Sequence, residues 1–170
     1  ATVQEALARA HARHPLSLTV VSNHAGLFRE LSGAWRFPAA YLEWNAATFE
    51  DALRLHDVAI IPVQRNPFTL CKTNNRVMTA LAAGLPVVAD AIPSYEEFAA
   101  CAYLDRWDEG LAAYAVDPAL RMRHVQAGQA ILQARYTLPT IADQWERLLM
   151  GELALQQSGN RESGAVAGGA

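Results

Sequence analysis

The densest group of residues able to do chemistry in this chain is Lys72-Thr73-Asn74-Asn75-Arg76. Two cations bracket three neutral hydrogen-bonding side chains. The run RVMTALAAG then has Val77, Met78 and Leu81 on one helical face and small alanines for close packing, so the group falls at a helix N-terminus, where Thr and Asn supply cap chemistry. A cation there opposes the positive end of the helix macrodipole, and two of them flanking it are unexpected unless an anion completes the site. Side-chain cations together with backbone N–H groups at a helix start suit a diphosphate, through charge-assisted hydrogen bonds.

A second group, Asn23, His24, Trp44 and Asn45, follows strand-like segments. These residues could contact a base or ribose, with Trp44 stacking on the base. The competing reading is structural, because Asn and His are ordinary cap and turn residues and Trp is a packing residue. Glu96 and Glu97 are expected to stabilise the first turn of a short helix, and His11, His14, His56 and His124 to be helix surface residues. Trp35, Trp107 and Trp145 are expected to pack.

The elements that must position these groups alternate. A helix from Thr2 to His14, with Thr2 as cap, precedes a strand over Leu16–Val21, a helix over Ala25–Leu31 closed by Ser32-Gly33, and a short strand over Tyr41–Trp44. Thr48 caps a helix over Phe49–Leu55. Asp57-Val58-Ala59-Ile60-Ile61-Pro62-Val63 reads as a strand buried on both faces, and a loop leads to the helix Arg76–Ala83. Gly84 stops that helix, and Leu85–Ala89 is a second buried strand with its Pro at the start. Beyond lie a short helix over Tyr95–Ala100, a weak strand over Ala102–Leu104, and a helix over Leu111–Ala115. Asp117-Pro118 then starts a helix over Ala119–Arg135. After Tyr136 and Thr137, Pro139 opens a last helix with Ile141, Trp145, Leu148 and Leu149 on one stripe. This order predicts an α/β, Rossmann-like, doubly wound parallel sheet with helices on both faces. Residues 1–155 are expected to form this domain and 156–170 a disordered tail of small and polar residues. Ligands of such sheets bind at the carboxyl ends of the strands.

Composition sets limits. The 170 residues are 52% hydrophobic, enough for one domain, and the net charge of −3 argues against nucleic acid as a partner. Cys71 and Cys101 have neither a CxxC pattern nor a His partner at metal spacing, so a disulfide framework and a metal site are unsupported. No apolar run reaches a membrane span, and a cytoplasmic location is expected.

The central stretch resembles the C-terminal donor-binding domain of GT-B glycosyltransferases, the retaining family 4 or group 1-like branch in particular. The matching residues are Asp57-Val58-Ala59-Ile60-Ile61-Pro62 and Ala80-Leu81-Ala82-Ala83-Gly84-Leu85-Pro86-Val87-Val88-Ala89, and the resemblance extends from about Leu16 to Leu149. It implies half of a GT-B fold that binds a nucleotide-diphosphate sugar as substrate, with no separate cofactor and no metal, for transfer to an acceptor held by an N-terminal domain of the same enzyme. The chain is expected to be a fragment of that longer enzyme, inactive alone. The family's usual Glu pair falls on Cys71 and Thr79 here, and the divergent basic, amide-rich loop stands in their place. Alternatives are a noncatalytic nucleotide- or glycan-recognition module and one half of a nucleotide-sugar epimerase. A phosphoacceptor receiver domain fits poorly, because Pro62 or Val63 occupies the acceptor-Asp position.

Overall fold

The structure, a computed structural model, describes residues 3–165, with side chains to residue 151. Thr2, expected as a cap, lies outside the described residues, as do the side chains of the expected tail and all of residues 166–170. The chain divides into two compact units, residues 1–129 and 130–170.

The first unit begins with α1 (Val3–Arg13), β1 (Leu18–Ser22), α2 (Ala25–Ser32), β2 (Ala39–Glu43) and α3 (Phe49–Arg54). It continues with β3 (Ala59–Ile61), α4 (Pro67–Leu70), α5 (Asn75–Ala82), β4 (Val87–Ala89), a 3-10 helix over Pro93–Phe98, β5 (Ala102–Leu104), α6 (Trp107–Val116) and the start of α7 (Pro118–Arg135). All five strands are parallel, in two ladders: β1 pairs β2 with Leu18 opposite Ala39, and β4 lies between β3 and β5. Between the ladders a side-chain bridge replaces backbone rungs. With the His56 Nδ1–H donated to the Ala52 carbonyl at 2.7 Å, Nε2 accepts the Thr19 hydroxyl at 2.7 Å.

Strand β4 has no exposed residue. Its alternating side chains face two different layers. Val88 joins Ala6 and Leu7 of α1, Phe37, and Trp107, Leu111 and Tyr114 of α6 in one core, with Ile60 and Tyr103 packed beside them. Helix α5 contributes buried Val77, Ala80 and Leu81 and packs on β3 and β4. Two glycines permit the close approaches. A Cβ at Gly110 would lie 2.7 Å from Tyr103 Cβ and 2.9 Å from Val88 Cγ2, and one at Gly128 would lie 2.6 Å from Leu81 Cδ2. The architecture is thus α/β with parallel strands covered by helices, as the alternation of elements predicts.

Several boundaries differ from expectation. The second strand starts at Ala39, ahead of the expected Tyr41, because Leu18 pairs with Ala39 and extends the ladder. The turn α4 was not expected. Asn66 is its N-cap, with Oδ1 accepting from the Thr69 backbone N–H at 2.9 Å while Thr69 Oγ1 accepts from the Asn66 N–H at 2.9 Å, and Pro67 sits at the first helical position. Helix α6 starts earlier than expected, at Trp107, with Asp108 and Glu109 in its first turn. Thr48 precedes α3 but makes no side-chain cap bond. Three of the four histidines expected at the surface are more engaged than surface residues would be. Besides His56, His11 Nδ1 accepts the Leu16 N–H at 3.1 Å, and His124 Nδ1 lies 2.7 Å from the Tyr114 hydroxyl.

The second unit comprises the end of α7 and helix α8 (Leu138–Ala165). Thr137 marks the break between them, its hydroxyl accepting from the Thr140 N–H at 3.3 Å. Ile141 is half-buried, whereas Trp145, Leu148 and Leu149 of the expected stripe are exposed.

Two predictions concern this framework. Helix α5 closes in a Schellman arrangement, with the Leu85 N–H donated to the Ala80 carbonyl at 2.9 Å and the Gly84 N–H to the Leu81 carbonyl at 3.1 Å, and Gly84 at φ 87°. Gly84→Val has open space for its side chain but a left-handed backbone, so it should cost at least about 1–2 kcal/mol. An unchanged melting temperature would contradict the helix stop. The second concerns His124, whose pKa is lowered, chiefly by burial and secondarily by Arg123. The folded state then binds this proton less readily than the unfolded chain. Its contribution to stability is complete above the unfolded histidine value of about 6.5 and declines as pH falls below it. His124→Gln, which keeps an acceptor for Tyr114, should flatten that acid limb in melts recorded across pH.

Candidate functional site

The carboxyl ends of β3, β4 and β5 are joined by two carboxylates and a guanidinium. Asp90 follows β4, and its Oδ2 accepts the Val63 N–H at 2.7 Å while Oδ1 accepts the Trp107 indole N–H at 2.8 Å. Asp105 follows β5 in the left-handed region at φ 57°, a conformation that Asp tolerates better than most side chains. Its Oδ1 accepts the Ala91 N–H at 2.9 Å, and its Oδ2 pairs with Arg65, whose Nε donates to the Ala91 carbonyl at 3.0 Å. Three loops are thereby tied at one rim. Asp90 directly follows the expected strand Leu85–Ala89, but its bonds, and the roles of Asp105 and Arg65, depend on partners far away in the chain.

From this rim the β3–α5 connection carries the expected diphosphate residues. Thr69 is buried, and its hydroxyl donates to the Gln64 carbonyl at 2.6 Å, fixing α4. Lys72 is half-buried with Nζ 5.2 Å from the centroid of the Phe68 ring, and Thr73 is exposed. Asn74 is the N-cap of α5 but makes no side-chain cap bond; its amide instead donates to Glu97 Oε1 at 2.6 Å. Glu97 therefore links the 3-10 helix to the start of α5. That corrects its reading as a helix-end stabiliser, and it corrects Asn74 as a side-chain cap. Asn75 and Arg76 are exposed in the first turn of α5, which has no acidic residue. Arg76 acts electrostatically on the buried Tyr95 phenol, whose pKa burial raises and Arg76 partly pulls back. The five residues remain together, two as exposed first-turn groups, and the α5 N–H groups beside them have no intrahelical acceptor.

The other candidates lie at the carboxyl end of the β1–β2 ladder. His24 is the N-cap position of α2 without a side-chain bond, its N–H donated to Ser22 Oγ at 3.2 Å, and Asn23 beside it is exposed. Trp44 is 47% exposed, with its ring 6.5 Å from that of Phe49. Asn45 has a structural task, because its Oδ1 accepts the Ala47 N–H at 2.8 Å in an Asx turn.

Two clefts lie elsewhere. One of about 290 Å³ is lined by His56, Asp57, Gly84, Pro86 and Arg121 at the amino ends of β3 and β4, with Arg121 bonded to Asp57 at 2.9 Å. Another of about 430 Å³ lies between α1 and the segment Ala34–Phe37. Among the described residues no group of three or more His, Cys, Asp or Glu could hold a metal ion, and no helix is long and apolar enough to cross a membrane.

No family model and no curated protein matches this sequence. Among solved structures, the chain is similar to the crystal structure of WaaG, a glycosyltransferase involved in lipopolysaccharide biosynthesis, with a TM-score of 0.59 and 19% identity. The likeness establishes the fold. It covers 82% of this chain and 41% of WaaG, so this chain spans less than half the length of that protein. The chain therefore has the fold of one Rossmann-like GT-B half.

Asp90 is the central tie of the rim, and Asp90→Ala should leave the Val63 N–H and the Trp107 indole N–H without their acceptor. A loss of about 1–3 kcal/mol is expected for such groups, read by denaturant titration. A variant as stable as the parent would show that the tie is dispensable.

Proposed function

We propose that this chain is the donor-binding part of a glycosyltransferase and holds a nucleotide-diphosphate sugar at the carboxyl rim of β3–β5. Lys72, Thr73, Asn75 and Arg76, with the first N–H groups of α5, receive the diphosphate, and Asn74 positions that turn through Glu97. Asn23, His24 and Trp44 face the nucleoside end, and Asn45 shapes their loop. The observation that carries this reading is the first turn of α5, which has a cation within it, another just before it and no carboxylate. With the Glu97 carboxylate engaged by the Asn74 amide, the exposed cation and N–H groups of this turn favour an incoming anion. The fold shared with a glycosyltransferase supports the same reading.

The acceptor belongs to a further domain of the same enzyme, and sugar transfer needs both substrates held within reacting distance. A noncatalytic nucleotide-recognition module is the second reading. It is favoured by Cys71 and Thr79, both exposed where the resembling enzymes carry their Glu pair.

Calorimetry tests the assignment. The chain should bind a nucleoside diphosphate weakly, less tightly as salt rises, and should bind the corresponding nucleoside more weakly still. Lys72→Ala and Arg76→Ala should each reduce the diphosphate's advantage by about 1–3 kcal/mol, the range for charge-assisted contacts. Equal binding of diphosphate and nucleoside, unaffected by either substitution, would remove the diphosphate site.

A further inference from the structure

The turn that precedes the basic loop holds an aromatic ring in solvent. Phe68 is 75% exposed, yet the four residues of α4 are not slack. The Asn66–Thr69 capping box closes them, buried Thr69 bonds to the Gln64 carbonyl, and the preceding Arg65 is fixed to the Ala91 carbonyl and Asp105. A rigid turn is therefore presenting a phenyl ring outward, at the rim where the strands end. Its one described ring contact is the ammonium of Lys72, 5.2 Å from the centroid, an attraction between a cation and the negative π face.

Resting on the donor-site reading above, we propose that Phe68 is the specificity-determining residue for the sugar, stacking against the hexose ring of the nucleotide-diphosphate sugar. Lys72 connects the two ends of the argument. The cation assigned to the diphosphate already lies on this ring, so a diphosphate that engages Lys72 has its next substituent beside Phe68. The nucleoside substituent is directed to the β1–β2 ladder, with its exposed Trp44, which leaves the glycosyl substituent for Phe68. A pyranose has a face of C–H bonds made slightly positive by neighbouring oxygens, the complement of an aromatic face. When the ligand binds, Lys72 exchanges the ring for phosphate oxygens and the sugar covers the face it vacates.

The test uses the full chain and calorimetry with UDP, GDP and ADP and with UDP-glucose, GDP-mannose and ADP-glucose. For the pair that binds, Phe68→Ala should weaken the sugar conjugate about three- to tenfold, the scale of an aromatic contact, and leave the parent diphosphate within about twofold. Phe68→Trp should retain the conjugate, and Phe68→Leu, which keeps apolar bulk without a π face, should weaken it. Melting curves should not change, since the ring is exposed. The inference is overturned if Phe68→Ala leaves the conjugate unaffected, or weakens conjugate and diphosphate alike. Absence of binding by all three diphosphates overturns the donor-site reading itself, a result separate from either of those.

Discussion

The arrangement depends on the burial of β4 from both sides. Three residues with no exposed side chain require a layer above and a layer below, and both must approach closely. Gly110 lets α6 settle on Val88 and Tyr103, and Gly128 lets α7 settle on Leu81 of α5. With β4 fixed in this way, its carboxyl end can place Asp90 between Val63 and Trp107, and its amino end can receive α5 through the Gly84 turn. The rim is a consequence of the core rather than a separate construction.

At that rim the charges are sorted by task. Asp105 is paired with Arg65, and both oxygens of Asp90 are engaged by the N–H groups of Val63 and Trp107, so each carboxylate is committed to the scaffold. Glu97 is turned toward Asn74. What faces outward at the head of α5 is Arg76, preceded by Lys72. A net charge of −3 is compatible with the proposed anion site, because short-range arrangement at a helix end weighs more in local binding than the overall sum does.

The parts of this structure legible in the sequence were those with a local cause. The Gly84 stop, the Asp117-Pro118 start and the alternation of strands with helices follow from backbone chemistry within a few residues. Asp117 Oδ1 indeed accepts the Leu120 N–H at 2.8 Å. The short strand lengths, the start of β2 at Ala39 and the pairing of Asn74 with Glu97 rest on partners distant in sequence, for which pattern gives no signal. Turn α4 is the exception. Its Asn-Pro pair and Thr three residues after Asn66 were a readable cap, overshadowed by the polar cluster that follows. The basic loop was legible as a group of residue types; which members keep a free hand and which are committed to structure was not.

The seam between the two ladders sets how this rim can move. Backbone rungs hold β1 to β2 and β3 to β4 and β5, while the His56–Thr19 bond is the described hydrogen bond that spans the gap. A ligand whose nucleoside rests on one ladder and whose diphosphate rests on the other would lie across that gap as an extra rung. Its grip would depend on the spacing of the ladders, to which the His56–Thr19 bond contributes at the far end of the strands, alongside the core that Leu18 and Ile60 share.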